Sequence, residues 1–228
     1  MPQYFDEQPA AASDEGTVEL SIAGRTLTLA TDAGVFSRRR VDPGTEVLLR
    51  KAPPPPVTGT VLDLGCGYGP IACAIAVQSP DAVVWAVDVN ERARELTARN
   101  ALAHGLDNVR VSAPDDVPAD VAFDAIFSNP PVRIGKDAMH ELLERWLARL
   151  APRDPDEHVT VPSGGRAFLV VQRHLGADSL QQWLQREGYL SERLASRKGY
   201  RVLVVAGRFE AITDLRPTRR PSPEAGAP

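Results

Sequence analysis

The sequence predicts a Rossmann-like α/β fold. Its sheet is mostly parallel and covered on both faces, with an antiparallel strand at its C-terminal end and a small N-terminal β-hairpin extension. Three observations predict it. From Gly59 onward, short β-branched apolar runs alternate with segments of helical period, the pattern of a parallel sheet. The first run ends in a glycine-rich turn, Gly65-Cys66-Gly67-Tyr68-Gly69, directly ahead of a helical segment. The last two runs, Tyr189 to Ala195 and Tyr200 to Ala206, meet at Lys198-Gly199 as a closing strand pair does.

Taken in order, Val18 to Ile22 and Thr26 to Thr31 alternate apolar and polar around Ala23-Gly24-Arg25, a hairpin pattern. Asp42-Pro43-Gly44 opens a short helix towards Lys51, and Pro53 to Pro56 form a stiff linker. Thr60 to Leu64 is a strand. The helix after it starts at Pro70, with Ile71, Ala74 and Ile75 on one face. Ala82 to Val87 is a buried strand, and Asn90 caps a helix to about His104. Val109 to Ser112 and Phe123 to Ser128 are further strands. Lys136 to Leu150 is helical, with Met139, Leu142, Leu143, Trp146, Leu147 and Leu150 at the helical period. Arg166 to Gln172 is a strand and Ala177 to Arg186 an amphipathic helix. The organisation predicted is an N-terminal extension over 1–56, an α/β domain over 57–212, and a Pro- and charge-rich tail, 213–228, that reads as disordered.

The chain has 228 residues, 43% of them hydrophobic, enough for one sizeable core. No apolar run is long enough to span a membrane, and the polar, acidic start lacks the features of a signal peptide. Cys66 and Cys73 are the only cysteines, too few for a disulfide framework, and no cluster has metal-ligand spacing. A cytoplasmic protein without a metal is expected. The net charge of −4 gives no global case for nucleic-acid binding, so any such surface must be local. Arg38-Arg39-Arg40, Arg50-Lys51, Arg133 with Lys136, Arg173-His174, and Arg197-Lys198 with Arg201 are the local basic clusters. Taken singly, each reads as solvated surface.

In parallel α/β sheets, ligands bind beyond the carboxyl ends of the strands. The loops at Gly65, Asp88, Ser112 and Asn129 all leave that edge. The first carries Asp63-Leu64-Gly65-Cys66-Gly67-Tyr68-Gly69. Its Gly-x-Gly-x-Gly spacing differs from the Gly-x-Gly-x-x-Gly of dinucleotide folds, and an acid stands two residues before the first glycine. A carboxylate there favours a cofactor bearing an ammonium and a sulfonium, and repels a pyrophosphate. This favours S-adenosylmethionine over a nicotinamide dinucleotide. Asp88 ends the second strand, nineteen residues after Gly69, and can accept both ribose hydroxyls; Val89 follows it. The adenine pocket is expected near 112–116, where Asp115 or Asp116 can accept from the adenine amine.

Ser128-Asn129-Pro130-Pro131 follows the fourth strand and faces the methyl donor. Asn-Pro is also a strong turn dipeptide. An amine that attacks a sulfonium methyl needs acceptors for its N–H groups. The Asn129 side-chain oxygen and the Pro130 carbonyl can supply two. No strong base is required, because orientation and electrostatics carry the rate.

With these residues in hand, the sequence resembles the methyltransferase small domain family. Within it the bacterial small-subunit ribosomal RNA guanine-N2 methyltransferases and their single-domain relatives look most similar. The resemblance runs from Tyr4 to about Ala206. It rests on Tyr4-Phe5 with Pro9, Gly34-Val35-Phe36-Ser37, Asp42-x-Gly44, Val61 to Pro70, Val87 to Ala93, Ser128 to Pro131, Gly135-Lys136 and Lys198-Gly199-Tyr200. It implies a class I methyltransferase fold, S-adenosylmethionine as donor, and a guanine exocyclic amine in ribosomal RNA or the small subunit as acceptor. Asn129 and Pro130 match the catalytic pair. Asp63, Gly65, Gly67 and Asp88 match cofactor positions, with Cys66, Gly69 and Val89 beside them, and Phe36 is expected near the cofactor.

Two features depart from the family pattern. Val132 stands where the family usually has an aromatic that stacks on a flipped base, so stacking must come from elsewhere, or from the planar guanidinium of Arg133. The chain also lacks the duplicated N-terminal domain of longer relatives. Its RNA contacts are then expected from the hairpin, Arg38 to Arg40, Pro131, Val132 and the Arg133-Lys136 loop. The 154–163 stretch looks like a loop insertion. The runner-up reading keeps the cofactor and changes the acceptor to DNA adenine, another RNA or a protein glutamine amide. A non-catalytic RNA-binding module is the reading from a different class.

Overall fold

The computed structural model describes residues 12–152 and 164–208. The expectations for Tyr4-Phe5 and Pro9, for the 154–163 loop and for the tail lie outside the described residues. Strands β1 (Gly16–Ile22) and β2 (Arg25–Thr31) form the expected hairpin. Their two-residue turn, Ala23-Gly24, has positive φ at both positions (48° and 76°), the turn geometry that matches strand twist. Helix α1 (Pro43–Lys51) follows, its N-terminus capped by the Asp42 carboxylate, which accepts from Gly44 N and Thr45 N.

The main sheet has seven strands. β3 (Thr58–Leu64), β4 (Asp81–Val87), β5 (Val109–Ser112), β6 (Ala125–Ser128) and β7 (Arg166–Gln172) run parallel. β8 (Tyr189–Arg197) and β9 (Tyr200–Arg208) are antiparallel to each other, and β9 is antiparallel to β7. The order across the sheet is β5-β4-β3-β6-β7-β9-β8. The strand order therefore reverses between β3 and β6, and such a switch point opens a crevice at the carboxyl edge.

Strand periodicity sorts the core into two layers. Val61, Val84, Phe127 and Val170 face one way. They pack with the hairpin, α1, α2 (Pro70–Gln78) and α3 (Glu91–Ala103) through residues such as Leu29, Leu48, Ile75 and Leu96. Leu62, Ile126, Leu169 and Leu203 face the other way, against α4 (Lys136–Leu147) and α5 (Ala177–Arg186), where Leu143, Trp146, Leu180 and Leu184 are buried. The N-terminal segment thus shares a core with the sheet. It is also tied by hydrogen bonds. Asn100 on α3 accepts from Ala30 N (2.7 Å) and donates to Ala30 O (3.0 Å) and Tyr68 O (2.8 Å), while Asn90 donates to the Gly34 carbonyl.

Two element boundaries differ from expectation for one reason. The helix expected to run to Leu150 ends at Leu147, and the strand expected from Phe123 starts at Ala125. Phe123 and Leu150 instead form an isolated bridge, with Phe123 N donating to Arg149 O at 2.8 Å. Leu150 keeps its helical-period position in the sequence but serves that bridge. Pro152 disfavours helical geometry at Ala151, so a helix could not have continued past Leu150 in any case.

Candidate active site

The crevice at the switch point is a cleft of about 630 Å³, within the span of roughly 300–1,000 Å³ common for small-molecule sites. β3 delivers its first wall. Gly65 and Gly67 have φ of 75° and 58°, and a side chain at either would project into open space. Only glycine takes that backbone without strain and lets a ligand lie against the peptide. Gly65 N and Cys66 N both donate to the Val87 carbonyl, which fastens the loop to the end of β4.

Asp88, next along, lines the cleft. Its Oδ2 accepts from Gly67 N and its Oδ1 from Asn90 N, each at 2.9 Å. Each oxygen keeps a second lone pair for a ligand hydroxyl. Burial raises the Asp88 carboxyl above its ordinary value, against the lowering effect of these bonds and of Arg94. Asn90, the expected cap of α3, accepts from Ala93 N. Val89 and Pro114 add apolar surface.

β6 delivers the opposite wall. Leu64 pairs with Ser128, so the glycine loop and Asn129 leave the sheet as neighbours, and Ser128 Oγ donates to Leu64 O at 2.7 Å. The Asn129 amide is held from a distance. Its Nδ2 donates to Asp42 Oδ1 (2.8 Å) and to Thr45 Oγ1 (3.2 Å), both on the start of α1. Both N–H bonds are thereby used, and Oδ1 is left as the acceptor in the cleft. Pro130 O accepts from Val132 N at 2.8 Å around Pro131 (φ −75°, ψ 72°), an inverse γ-turn. A carbonyl has two lone pairs, so one remains for a ligand N–H or O–H. Pro131, Val132, Gln172, Leu175 and Tyr200 complete this side.

Residues 26–204 match the family model of the methyltransferase small domain. The chain belongs to that family. As a member it is an S-adenosylmethionine-dependent methyltransferase. It is 32% identical over 203 residues to the uncharacterized protein YbxB of Bacillus subtilis, covering 88% of this chain and 96% of that one. It is 36% identical over 157 residues to the ribosomal RNA small subunit methyltransferase C of Shewanella loihica, covering 68% of this chain and 43% of that protein. The chain thus spans under half the length of that relative. Among solved structures, the Thermus thermophilus 16S rRNA N2 G1207 methyltransferase, in complex with AdoMet and guanosine, matches with a TM-score of 0.68 and 24% identity. That match covers 88% of this chain and 52% of that one. At that identity the likeness shows the fold.

The cleft fits the family's donor. It offers glycine backbone without side chains, a carboxylate at Asp88, apolar surface at Val89, and enough volume. Of the residues the sequence singles out, Phe36, Gly65, Cys66, Gly67, Asp88, Val89, Asn129, Pro130, Pro131 and Val132 line it together. Phe36 stays 47% exposed and forms part of its rim. Gly69 and Asp63 sit behind the loop. Gly69 caps α2 at φ 88°, and a Cβ there would come within 2.9 Å of Thr97. Asp63 is wholly buried. Its Oδ2 accepts from Ala72 N (2.8 Å), and its Oδ1 has no hydrogen-bond partner among the described residues. Burial pushes its carboxyl up to about 8, opposed by the Ala72 bond and reinforced by Asp88.

The structure does not bring Asp115 to the cleft. Its carboxylate pairs with Arg145 at 2.8 Å and is 89% exposed, and Asp116 is exposed too. Arg38 pairs with Asp14, and Lys136 is exposed at the start of α4. The Arg133 side chain lies outside what is described. Sequence reasoning gave no chemical role to Asp42, Thr45 or Tyr200. Asp42 was legible as a helix cap, but its bond to Asn129 spans 87 residues and has no local signature. Among the described residues no helix is long and apolar enough to cross a membrane, and no group of acidic, histidine and cysteine side chains could hold a metal.

Proposed function

We propose that the protein methylates the exocyclic N2 amine of a guanine in small-subunit ribosomal RNA, using S-adenosylmethionine. The observation that carries this reading is the Asn129 amide. Both its N–H groups are engaged by α1, which leaves its oxygen as the group that can accept from a substrate, in the cleft that the glycine loop also lines. Relatives named ribosomal RNA small subunit methyltransferase C support the choice of acceptor. Ribosomal subunits also make the cytoplasm the place of action.

The donor supplies an electrophilic methyl group. The chain supplies positioning. Asp88 takes the ribose hydroxyls, Gly65 and Gly67 let the cofactor lie on the backbone, and Phe36, Val89 and Pro114 cover its apolar surfaces. The base, flipped or unpaired, enters beside Tyr200 and Val132. Its amine donates to Asn129 Oδ1 and to the free lone pair of Pro130 O, which turns the nitrogen lone pair towards the methyl. The N–C bond would form as the donor's C–S bond breaks, leaving a neutral thioether, and the extra proton on nitrogen would then pass to water, so no side chain need act as a strong base. Tyr200 takes the stacking role left open by Val132. It lines the cleft and packs tightly on Gly44, where a Cβ would come within 2.8 Å of its ring.

The test is nucleoside mass spectrometry on small subunits from a strain lacking the gene, incubated with purified protein and labelled S-adenosylmethionine. Labelled N2-methylguanosine is expected. No label in RNA with cofactor binding intact would overturn the acceptor and redirect the search to DNA adenine and glutamine amides.

A further inference from the structure

A second cavity, about 450 Å³, lies at the same edge of the sheet, where β8 turns into β9. Five of its eight lining residues are cationic: Arg173, Arg193, Arg197, Lys198 and Arg201. The sequence scatters these over 29 positions as small clusters, each ordinary alone. The fold gathers them by strand register. Lys198 and Gly199 both have positive φ (49° and 80°), giving a two-residue turn that sets Arg197 against Tyr200. Tyr200 in turn pairs with Gln172 on β7, and Arg173 N donates to Gly199 O at 2.7 Å. Arg201 is engaged by Asp178; the other four make no ion pair among the described residues. Arg173, Arg193, Arg197 and Lys198 are all exposed.

We propose that this basic hairpin end binds the RNA phosphate backbone next to the flipped base, an inference that rests on the RNA-acceptor reading above. Two observations fix the occupant. The first is continuity. Tyr200 lines both the acceptor cleft and the basic cavity, so a strand whose base reaches Asn129 has its flanking phosphates over the β8–β9 turn. The second is charge. The whole chain carries −4, yet four cations with no ion pair among the described residues converge here, and guanidinium forks match phosphate oxygens. The sheet order then reads as a substrate axis, with cofactor at β4-β3, acceptor at β6 and backbone track at β7-β9-β8. Arg38, an expected RNA contact, is instead engaged with Asp14.

The test compares the full-length protein with Arg193→Ala/Arg197→Ala/Lys198→Ala and with the charge-conserving Arg193→Lys/Arg197→Lys. The probe is a fluorescein-labelled single-stranded oligoribonucleotide, titrated by anisotropy across a salt series. Calorimetry with S-adenosylmethionine runs alongside. The alanine variant is expected to keep cofactor binding and to bind RNA more weakly. Its log affinity should fall less steeply with log salt, by about 0.7 for each phosphate no longer neutralised and so about 2 in all. The lysine variant should keep the wild-type slope. An alanine variant with wild-type affinity and slope overturns the backbone track alone. Wild-type protein that binds cofactor but no RNA overturns the RNA-acceptor reading, and the track with it. If the alanine variant also loses cofactor binding, the shape-conserving Arg193→Gln/Arg197→Gln decides: cofactor binding kept with a shallower salt slope supports the track, and a wild-type slope overturns it.

Discussion

The two walls of the cleft are built by different means. The cofactor wall is local. Gly65, Gly67 and Asp88 lie within 24 residues of one another and hold themselves through Gly67 N to Asp88 and through two amides on the Val87 carbonyl. The wall proposed for the acceptor is assembled at long range. Asn129 at the end of β6 is oriented by Asp42 and Thr45 from α1, and Tyr200 arrives from the last hairpin. Donor binding should therefore survive changes that misdirect the acceptor, because Asn129 is oriented from α1 while the glycine loop is fastened to the end of β4.

The sharpest way to break that division is Asn129→Ala. Turnover should fall by about 10²–10³, the usual effect of removing one oriented polar group in a transition state. Cofactor affinity, by calorimetry, should stay near wild type. Asp88→Ala is the mirror image. It removes an acceptor for two hydroxyls, each worth about 1.5–3 kcal/mol when the acceptor is charged, so cofactor affinity should drop by at least about a hundredfold. Turnover at saturating cofactor should largely persist.

Asp42 sharpens the comparison further, because it does two jobs. Asp42→Ser keeps a good helix cap but is too short to reach Asn129. Turnover should fall about tenfold, as expected for one hydrogen bond to a charged group, with little change in Tm. Asp42→Ala should lose the same activity and about 1 kcal/mol of stability besides. Thermal unfolding and turnover measured on both variants separate the jobs.

The effect furthest from the acceptor chemistry concerns Asp63. Its carboxyl ionises near 8 in the folded chain and near 3.8 when unfolded. Between those values the folded state holds a proton that the unfolded state has released. Its contribution to stability therefore declines as pH rises through that window. Asp63→Asn should flatten that decline in denaturant titrations at pH 5 and pH 8. An unchanged pH slope in the variant would remove Asp63 as its source.

What was legible in the sequence follows the same division. The parallel sheet, the hairpin and the glycine loop are written in short-range periodicity and spacing, and the fold has them. The bounds of α4 and β6 were misjudged because Leu150 satisfies a helical pattern while serving a bridge to Phe123. Asp115 looked like an adenine acceptor by its place after β5, yet Arg145, thirty residues on, draws it outward. Asp42 could be recognised only as a cap, and the basic cavity only as separate pairs of charges. Each depends on which strands become neighbours, a property that no window of sequence carries.

On the proposed reading, Asn129 works through the orientation Asp42 gives it. A double-mutant cycle of Asp42→Ser and Asn129→Ala, read as turnover at saturating cofactor, tests it most directly. The double variant is expected to be no slower than Asn129→Ala alone, because without the amide there is nothing left to orient. Losses that multiply in the double variant would contradict the claim, and would mean that Asp42 acts on the reaction by a separate route.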